Sequence, residues 1–283
     1  MSELSKRILF SVVAAPTAIL LVYLGGPAMV ALIGVLSGIT VWEFYRLARA
    51  SGVHPFEGAG IAIVSLLPVA LYAGDIGLLR LPVTLAAVIA LAILAAAIWL
   101  RGPAEKPLLV VAVTVFGVIY AGQLSYLYGL RYHPYAVGAG AGAALVALPL
   151  LTTWATDTGA YFVGRALGRS LLAPSISPKK TWAGAVGGLV IAIIIVVAYV
   201  ELVLEPVANL TMTPSAVVAF AAITSIAAQI GDIAESLLKR EAGVKDSSSI
   251  IPGHGGVLDR FDGLLFALPV SYLLLGWWLM PVR

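Results

Sequence analysis

Hydrophobic residues run along this chain in long blocks, each near the roughly 20 residues that cross a bilayer as a helix. The blocks fall at about residues 8–24, 27–45, 57–74, 81–100, 107–128, 138–160, 182–203, 214–236 and 263–280. They are too long for strands, and the Pro and Gly positions that suit loops lie between them: Pro55, Gly74, Gly77, Gly102, Pro103, Pro134, Pro206 and Pro214. The pattern predicts an all-α, polytopic integral membrane protein with about nine transmembrane helices. Lys6 and Arg7 ahead of the first block resemble a signal peptide, but that block leads straight into another span, so a retained first helix is expected.

Composition narrows this further. The chain is 61% hydrophobic and 11% charged, where a soluble domain carries roughly 25% charged residues. No polar stretch is long enough for a soluble domain, so residues 1–283 are expected to form one membrane domain. Within it, 1–135 would hold helices 1–5, as a lipid groove or homodimer contact, and 136–283 would hold helices 6–9 with the chemistry. The absence of cysteine excludes disulfides, thiolate metal sites and thiol nucleophiles. Any bound metal should then be a hard ion held by oxygen.

The net charge of +3 does not point to nucleic acid, because basic residues in a membrane protein usually record topology. Assigning them to alternate sides of the blocks puts 14 of the 17 Lys and Arg residues on the N-terminal side. Only Arg80, Arg131 and Arg283 fall on the other. The positive-inside rule then predicts a cytoplasmic N-terminus. It also puts two polar stretches, 154–181 and 229–262, on the cytoplasmic face. Gly138, Gly140 and Gly142, with Gly184 and Gly188, are expected to be small-residue packing surfaces rather than phosphate loops.

The acids follow the same geography: Asp157, Asp232, Glu235, Asp246, Asp259 and Asp262 lie in or beside these stretches, and the first five spans contain only Glu43. An ionised side chain within a span costs roughly 2.5–3.5 kcal/mol or more, so each needs a partner or a task. Glu235 has Lys239 at i+4, a stabilising helical pair. Asp232 has no such cation. Asp259 and Asp262 stand three apart at the mouth of the last span, where one acid suits a helix N-terminus. Capping does not explain both together with Asp232. Three converging carboxylates call for a divalent cation, magnesium by economy, which keeps waters and bridges to phosphates. Arg165, Arg169, Lys179 and Lys180, with Ser177 and Thr181, offer cations and hydroxyls for phosphate oxygens. A basic run of this kind also suits anionic lipid head groups; the acids on the same face favour a polyphosphate site.

Residues 236–262 read SLLKREAGVKDSSSIIPGHGGVLDRFD, which closely resembles the signature of phosphatidate cytidylyltransferases, the CDP-diacylglycerol synthases. Upstream, Asp157-Thr158-Gly159-Ala160-Tyr161-Phe162, Gly164-Arg165, Gly168-Arg169 and Ser177-Pro178-Lys179-Lys180-Thr181-Trp182 are also similar to that family. Ala183 departs from it, since Glu commonly follows the Trp. The likeness is strong over the second half of the chain and limited to hydrophobic layout in the first.

The resemblance implies that CTP and phosphatidate are converted to CDP-diacylglycerol and pyrophosphate in a cell inner or plasma membrane, with Mg2+ and an accompanying K+. It implies Asp232, Asp259 and Asp262 as catalytic metal ligands, with Asp157 as a further ligand and Asp246 as a ligand or positioning group. Lys239 and His254 join the catalytic group. Arg165, Arg169, Ser177, Lys179, Lys180, Thr181, Arg240, Lys245 and Arg260 would bind substrate, and Gly255 and Gly256 would bring backbone amides close to an anion. A related CTP-dependent lipid transferase acting on another lipid phosphate or alcohol is the alternative. A secondary transporter fits less well, because the acids gather at one edge rather than mid-membrane. Asp259-x-x-Asp262-Gly263 also resembles the opening of the CDP-alcohol phosphotransferase motif, but the rest of that motif is missing.

Overall fold

The computed structural model describes residues 3–80, 82, 84–251, 253 and 255–282, with side chains from Val12 onward. His254 and Arg283, and the side chains of Lys6 and Arg7, therefore lie outside the described residues. The elements in order are α1 (Glu3–Leu24), α2 (Gly26–Ala50), α3 (Glu57–Asp75), α4 (Leu85–Leu100), α5 (Pro107–Gly122), α6 (Tyr126–Arg131) and α7 (Gly138–Leu167). A hairpin of β1 (Leu171–Ala173) and β2 (Ser177–Thr181) follows, then α8 (Trp182–Tyr199), a π-helical turn, α9 (Glu205–Ala208), β3 (Leu210–Thr211), α10 (Pro214–Glu241), α11 (Leu258–Trp278) and β4 (Met280–Pro281).

Among the described residues, seven helical segments are long and apolar enough to cross a membrane: Gly26–Ala50, Glu57–Asp75, Pro107–Arg131, Gly138–Leu167, Trp182–Ala208, Pro214–Glu241 and Leu258–Trp278. Shorter apolar helices occupy Val12–Leu24 and Leu85–Leu100. The chain is an all-α polytopic membrane protein. Three helices run past their hydrophobic blocks. α7 runs on to Leu167, α10 to Glu241, and α11 starts back at Leu258. Arg165, Lys239, Arg240, Asp259, Arg260 and Asp262 are thus helical rather than loop residues. The polar link expected between α7 and α8 holds a hairpin, with Leu171 opposite Thr181 and Ala173 opposite Ser177.

The described chain packs as two compact units, each discontinuous in sequence. The first comprises Met1–Ala15, Gly26–Ser125 and Glu241–Arg260. Its centre is Tyr45 on α2, fully buried, whose hydroxyl donates to Thr114 O at 2.7 Å. Gly60 on α3 and Gly117 on α5 make the room. A Cβ at these positions would come within 2.0 Å and 2.4 Å of the Tyr45 ring system.

The second unit comprises Pro16–Gly25, Tyr126–Arg240 and Phe261–Arg283. Here α7 and α8 cross on glycine: a Cβ at Gly188 would lie 2.6 Å from Thr156 O, and one at Gly159 would lie 3.0 Å from the Gly188 Cα. Gly184 and Gly188 are packing positions, as expected of small residues between membrane helices. Gly142 instead gives way to Arg131, whose carbonyl oxygen would be 2.2 Å from a Cβ there. Arg131 is itself buried, and its guanidinium donates to Val22 O at 2.9 Å and Tyr23 O at 3.0 Å. It therefore satisfies carbonyls at the C-terminus of α1, where a cation is favoured.

Candidate active site

Two glycines set the geometry of the second unit's acids. A Cβ at Gly231 would lie 2.6 Å from Asp262 O and 3.0 Å from the Gly263 Cα, and one at Gly263 would lie 3.0 Å from Ala228 O. α10 and α11 therefore touch backbone to backbone. Asp232 follows one of these glycines and Asp262 precedes the other, so the close crossing brings their carboxylates together. Asp262 lies within charge–charge range of Asp232, Asp157 and Lys239, and its Oδ1 accepts from Gly263 N at 2.6 Å.

Cations come from the hairpin and from α10. Lys180 on β2 pairs with Asp232, Nζ to Oδ2, at 2.6 Å. On α10, Lys239 pairs with the fully buried Glu235 one turn earlier, the structural role its spacing suggests. Arg240 is exposed and donates from Nε to Ile176 O at 3.2 Å, tying the end of α10 to the hairpin turn.

A cavity of about 340 Å³ opens beside the Lys180–Asp232 pair, lined among others by Asp157, Tyr161, Ser177, Lys179, Lys180, Thr181, Gln229 and Asp232. Carboxylates, ammoniums and hydroxyls thus share one concavity. Arg165 and Arg169 are exposed near it in sequence, with Arg165 Nη1 donating to Tyr161 Oη at 3.1 Å. Thr181 has a structural task besides lining the cavity. Its Oγ1 accepts from Gly184 N at 3.1 Å, an N-cap for α8. Gln229 was not among the expected site residues. Its Nε2 donates to Ala185 O at 3.3 Å, and its place three residues before Asp232 on one helix face is the signal that marks it.

Lys245, Asp246, Gly255, Gly256, Asp259 and Arg260 lie in the first unit, where Asp259 joins a polar knot. Asp259 Oδ2 accepts from Ser247 N at 2.9 Å, Ser247 Oγ at 2.8 Å and Gly256 N at 2.8 Å. This is the early-turn helix role for Asp259, with Asp262 one turn further along α11. Gly255 and Gly256 do bring backbone close to an anion, but that anion is the protein's own: a Cβ at Gly255, where φ is +83°, would lie 2.8 Å from Asp259 Oδ2. Lys245, Asp246 and Arg260 are exposed.

Sequence reasoning missed the acid at the centre of this knot. Glu43 on α2 is fully buried. Its Oε1 accepts from Ser248 Oγ at 2.5 Å and Val257 N at 3.0 Å, and its Oε2 from Ser247 Oγ at 3.1 Å and Leu258 N at 2.6 Å. The first amides of α11 are orphan donors of a helix N-terminus, which a carboxylate satisfies well. Its partners lie 204 to 215 residues away in sequence. The only local signal was a lone acid inside an apolar span.

Comparison with known proteins fits this combination of membrane helices with an acidic and basic cavity. The cytidylyltransferase family model matches residues 5–278. The chain belongs to the cytidylyltransferase family. It is a nucleotidyltransferase. Among its relatives, the phosphatidate cytidylyltransferase of Bacillus subtilis (strain 168) is 32% identical over 98% of this chain and 99% of its own length. Those of Haemophilus influenzae and Thermotoga maritima are 43% and 44% identical, over 45% and 47% of this chain and 44% and 49% of their own lengths. The matched span takes in residues of both compact units.

Proposed function

We propose that this cytidylyltransferase transfers the cytidylyl group of CTP to phosphatidate, giving CDP-diacylglycerol and pyrophosphate, at the cytoplasmic face of a cell inner or plasma membrane. The observation that carries the reading is Lys180 at 2.6 Å from Asp232 inside a cavity that also holds Asp157, Ser177 and Lys179. Positive and hydroxyl donors suit polyphosphate oxygens, and the carboxylates suit a cation that travels with them. The acceptor is inferred from the names of the relatives.

The chemistry asks little of a base. A phosphate monoester already presents an anionic oxygen near neutral pH, so it can attack the α-phosphorus directly. The new bond joins that oxygen to the α-phosphorus; the bond between the α-phosphorus and the α,β-bridging oxygen breaks, and pyrophosphate leaves with its electrons. Catalysis then rests on holding two repelling anions in line and offsetting charge on the leaving group. Lys179 and Lys180 on β2 would serve that task, and Arg165, Arg169 and Arg240 would extend the positive field around it.

Magnesium is the cofactor of this reading, with potassium as its companion. Among the described residues, no group of three or more His, Asp or Glu side chains is gathered so as to hold a metal ion. The oxygen donor pair of Asp232 and Asp262 fits an ion that takes one or two carboxylates and fills its remaining positions with water and phosphate. Bound there, it would supply Lewis-acid neutralisation of the phosphoryl oxygens. Purified protein given CTP, magnesium and a panel of lipid phosphates should release pyrophosphate fastest with phosphatidate. A faster reaction with another lipid phosphate or a lipid alcohol would overturn the choice of acceptor.

A further inference from the structure

Glu43 takes no part in the chemistry proposed above, yet its surroundings are built for a carboxylate. Among the described residues, its four hydrogen-bond donors come from one segment, residues 247–258. Arg46, one turn further along α2, grips the same segment through Ser247 O at 2.9 Å. Space is reserved as well: a Cβ at Gly256 would fall 2.1 Å from Ser247 Oγ and 2.5 Å from Glu43 Oε1. Ser247 is the link to the acids of α11. Its hydroxyl lies 3.1 Å from Glu43 Oε2 and 2.8 Å from Asp259 Oδ2, so its single proton bridges the two carboxylates.

We infer that Glu43 is a positioning residue for nucleotidyl transfer, fixing from α2 the connection into α11 and, through Ser247, the orientation of Asp259. The inference rests on the function proposed above. Two donors point at each oxygen, which matches an acceptor-only carboxylate. A glutamine in its place would turn an NH2 group against a backbone N–H or a serine hydroxyl. Loosening the first turn of α11 also loosens Asp262, which follows Leu258 by four residues, about 6 Å along the same helix. Glu43 is fully buried among its own protein donors, so its loss should act on turnover more than on nucleotide binding.

The test uses the full-length protein in detergent. Glu43→Gln should remain folded, keep KM for CTP within about threefold, and lose kcat by roughly tenfold or more. Amide hydrogen exchange followed by mass spectrometry should rise across 247–258 and stay at the parental level in α8. A kcat within about twofold of the parent overturns the inference. Should Glu43→Gln fail to fold, Ser248→Ala removes one donor and keeps the carboxylate: a fall in kcat of about threefold at unchanged KM supports the inference, and parental kcat overturns it. The parent separates the two claims in the same assay. A parent that does not turn over CTP overturns the proposed function, and an active parent with an equally active Glu43→Gln overturns only the positioning role.

Discussion

Replacing Lys180 with methionine removes one charge and keeps most of the side-chain volume, so it isolates what the ammonium contributes. In the folded protein that ammonium sits 2.6 Å from Asp232 Oδ2, with side-chain exposures of 23% and 36% for the two partners. A charge-assisted hydrogen bond contributes about 1.5–3 kcal/mol. Partial exposure screens this pair, which puts the expected loss near the lower end, about 1.5 kcal/mol. At roughly 2–4 °C per kcal/mol for a chain of this size, Lys180→Met should lower the melting temperature by about 3–6 °C. Activity should respond far more. If Lys180 also meets charge on a departing pyrophosphate, its removal should cost on the order of 100- to 1,000-fold in kcat, the size of losing one preorganised electrostatic donor. Lys180→Arg keeps the charge on a different geometry and should fall between. The paired measurement is a thermal melt in detergent and a CTP turnover assay on the same preparation. A folded Lys180→Met enzyme within about tenfold of the parental kcat would refute the reasoning, because the lysine would then serve only the ion pair.

Two further expectations come from packing and titration. Gly231→Ala sets a Cβ 2.6 Å from Asp262 O, so it should destabilise the α10–α11 crossing by about 1–3 kcal/mol and depress turnover by displacing Asp232 from Asp262; an unshifted melt would show that the crossing relaxes freely. His133, between the spans, is buried, and its Nδ1 accepts from Tyr135 N at 3.3 Å. Burial holds its pKa below the ordinary imidazole value, so the unfolded chain binds the proton more readily. Stability from this group should be full above the usual imidazole range near pH 6.5 and decline as pH falls through it. The decline should be reduced in His133→Gln, and equal acid sensitivity in that variant would discard His133 as its source.

The helices were legible because a membrane span must be apolar over most of its length and satisfy its own backbone. Their ends were not, because a helix does not stop where hydrophobicity does. α7, α10 and α11 carry Arg165, Arg240 and Asp259 beyond the apolar blocks while remaining helical. The acids and bases of the second unit were legible as residue types at suggestive spacings, and the Lys180–Asp232 pair and the Gly231–Gly263 crossing give them a physical arrangement. What escaped was long-range pairing. Glu43 finds its donors more than 200 residues away, and Arg131 reaches back over 100 residues to the end of α1. Neither partner set leaves a mark in local sequence. Asp259 and Asp262 share a motif and a helix, yet the first is taken up by Ser247 and Gly256 while the second faces the charges of Asp232, Asp157 and Lys239. Spacing alone could not divide those roles.

The central claim is that the cavity beside Lys180, Asp232 and Asp262 carries nucleotidyl transfer to a lipid phosphate. CTP labelled in turn at its α- and γ-phosphorus, incubated with purified protein, magnesium and phosphatidate, tests it directly. The account predicts α-label in the lipid product, γ-label only in pyrophosphate, and neither transfer with a folded Asp262→Asn enzyme. Label from the γ-position in the lipid, or undiminished α-transfer by Asp262→Asn, would contradict it.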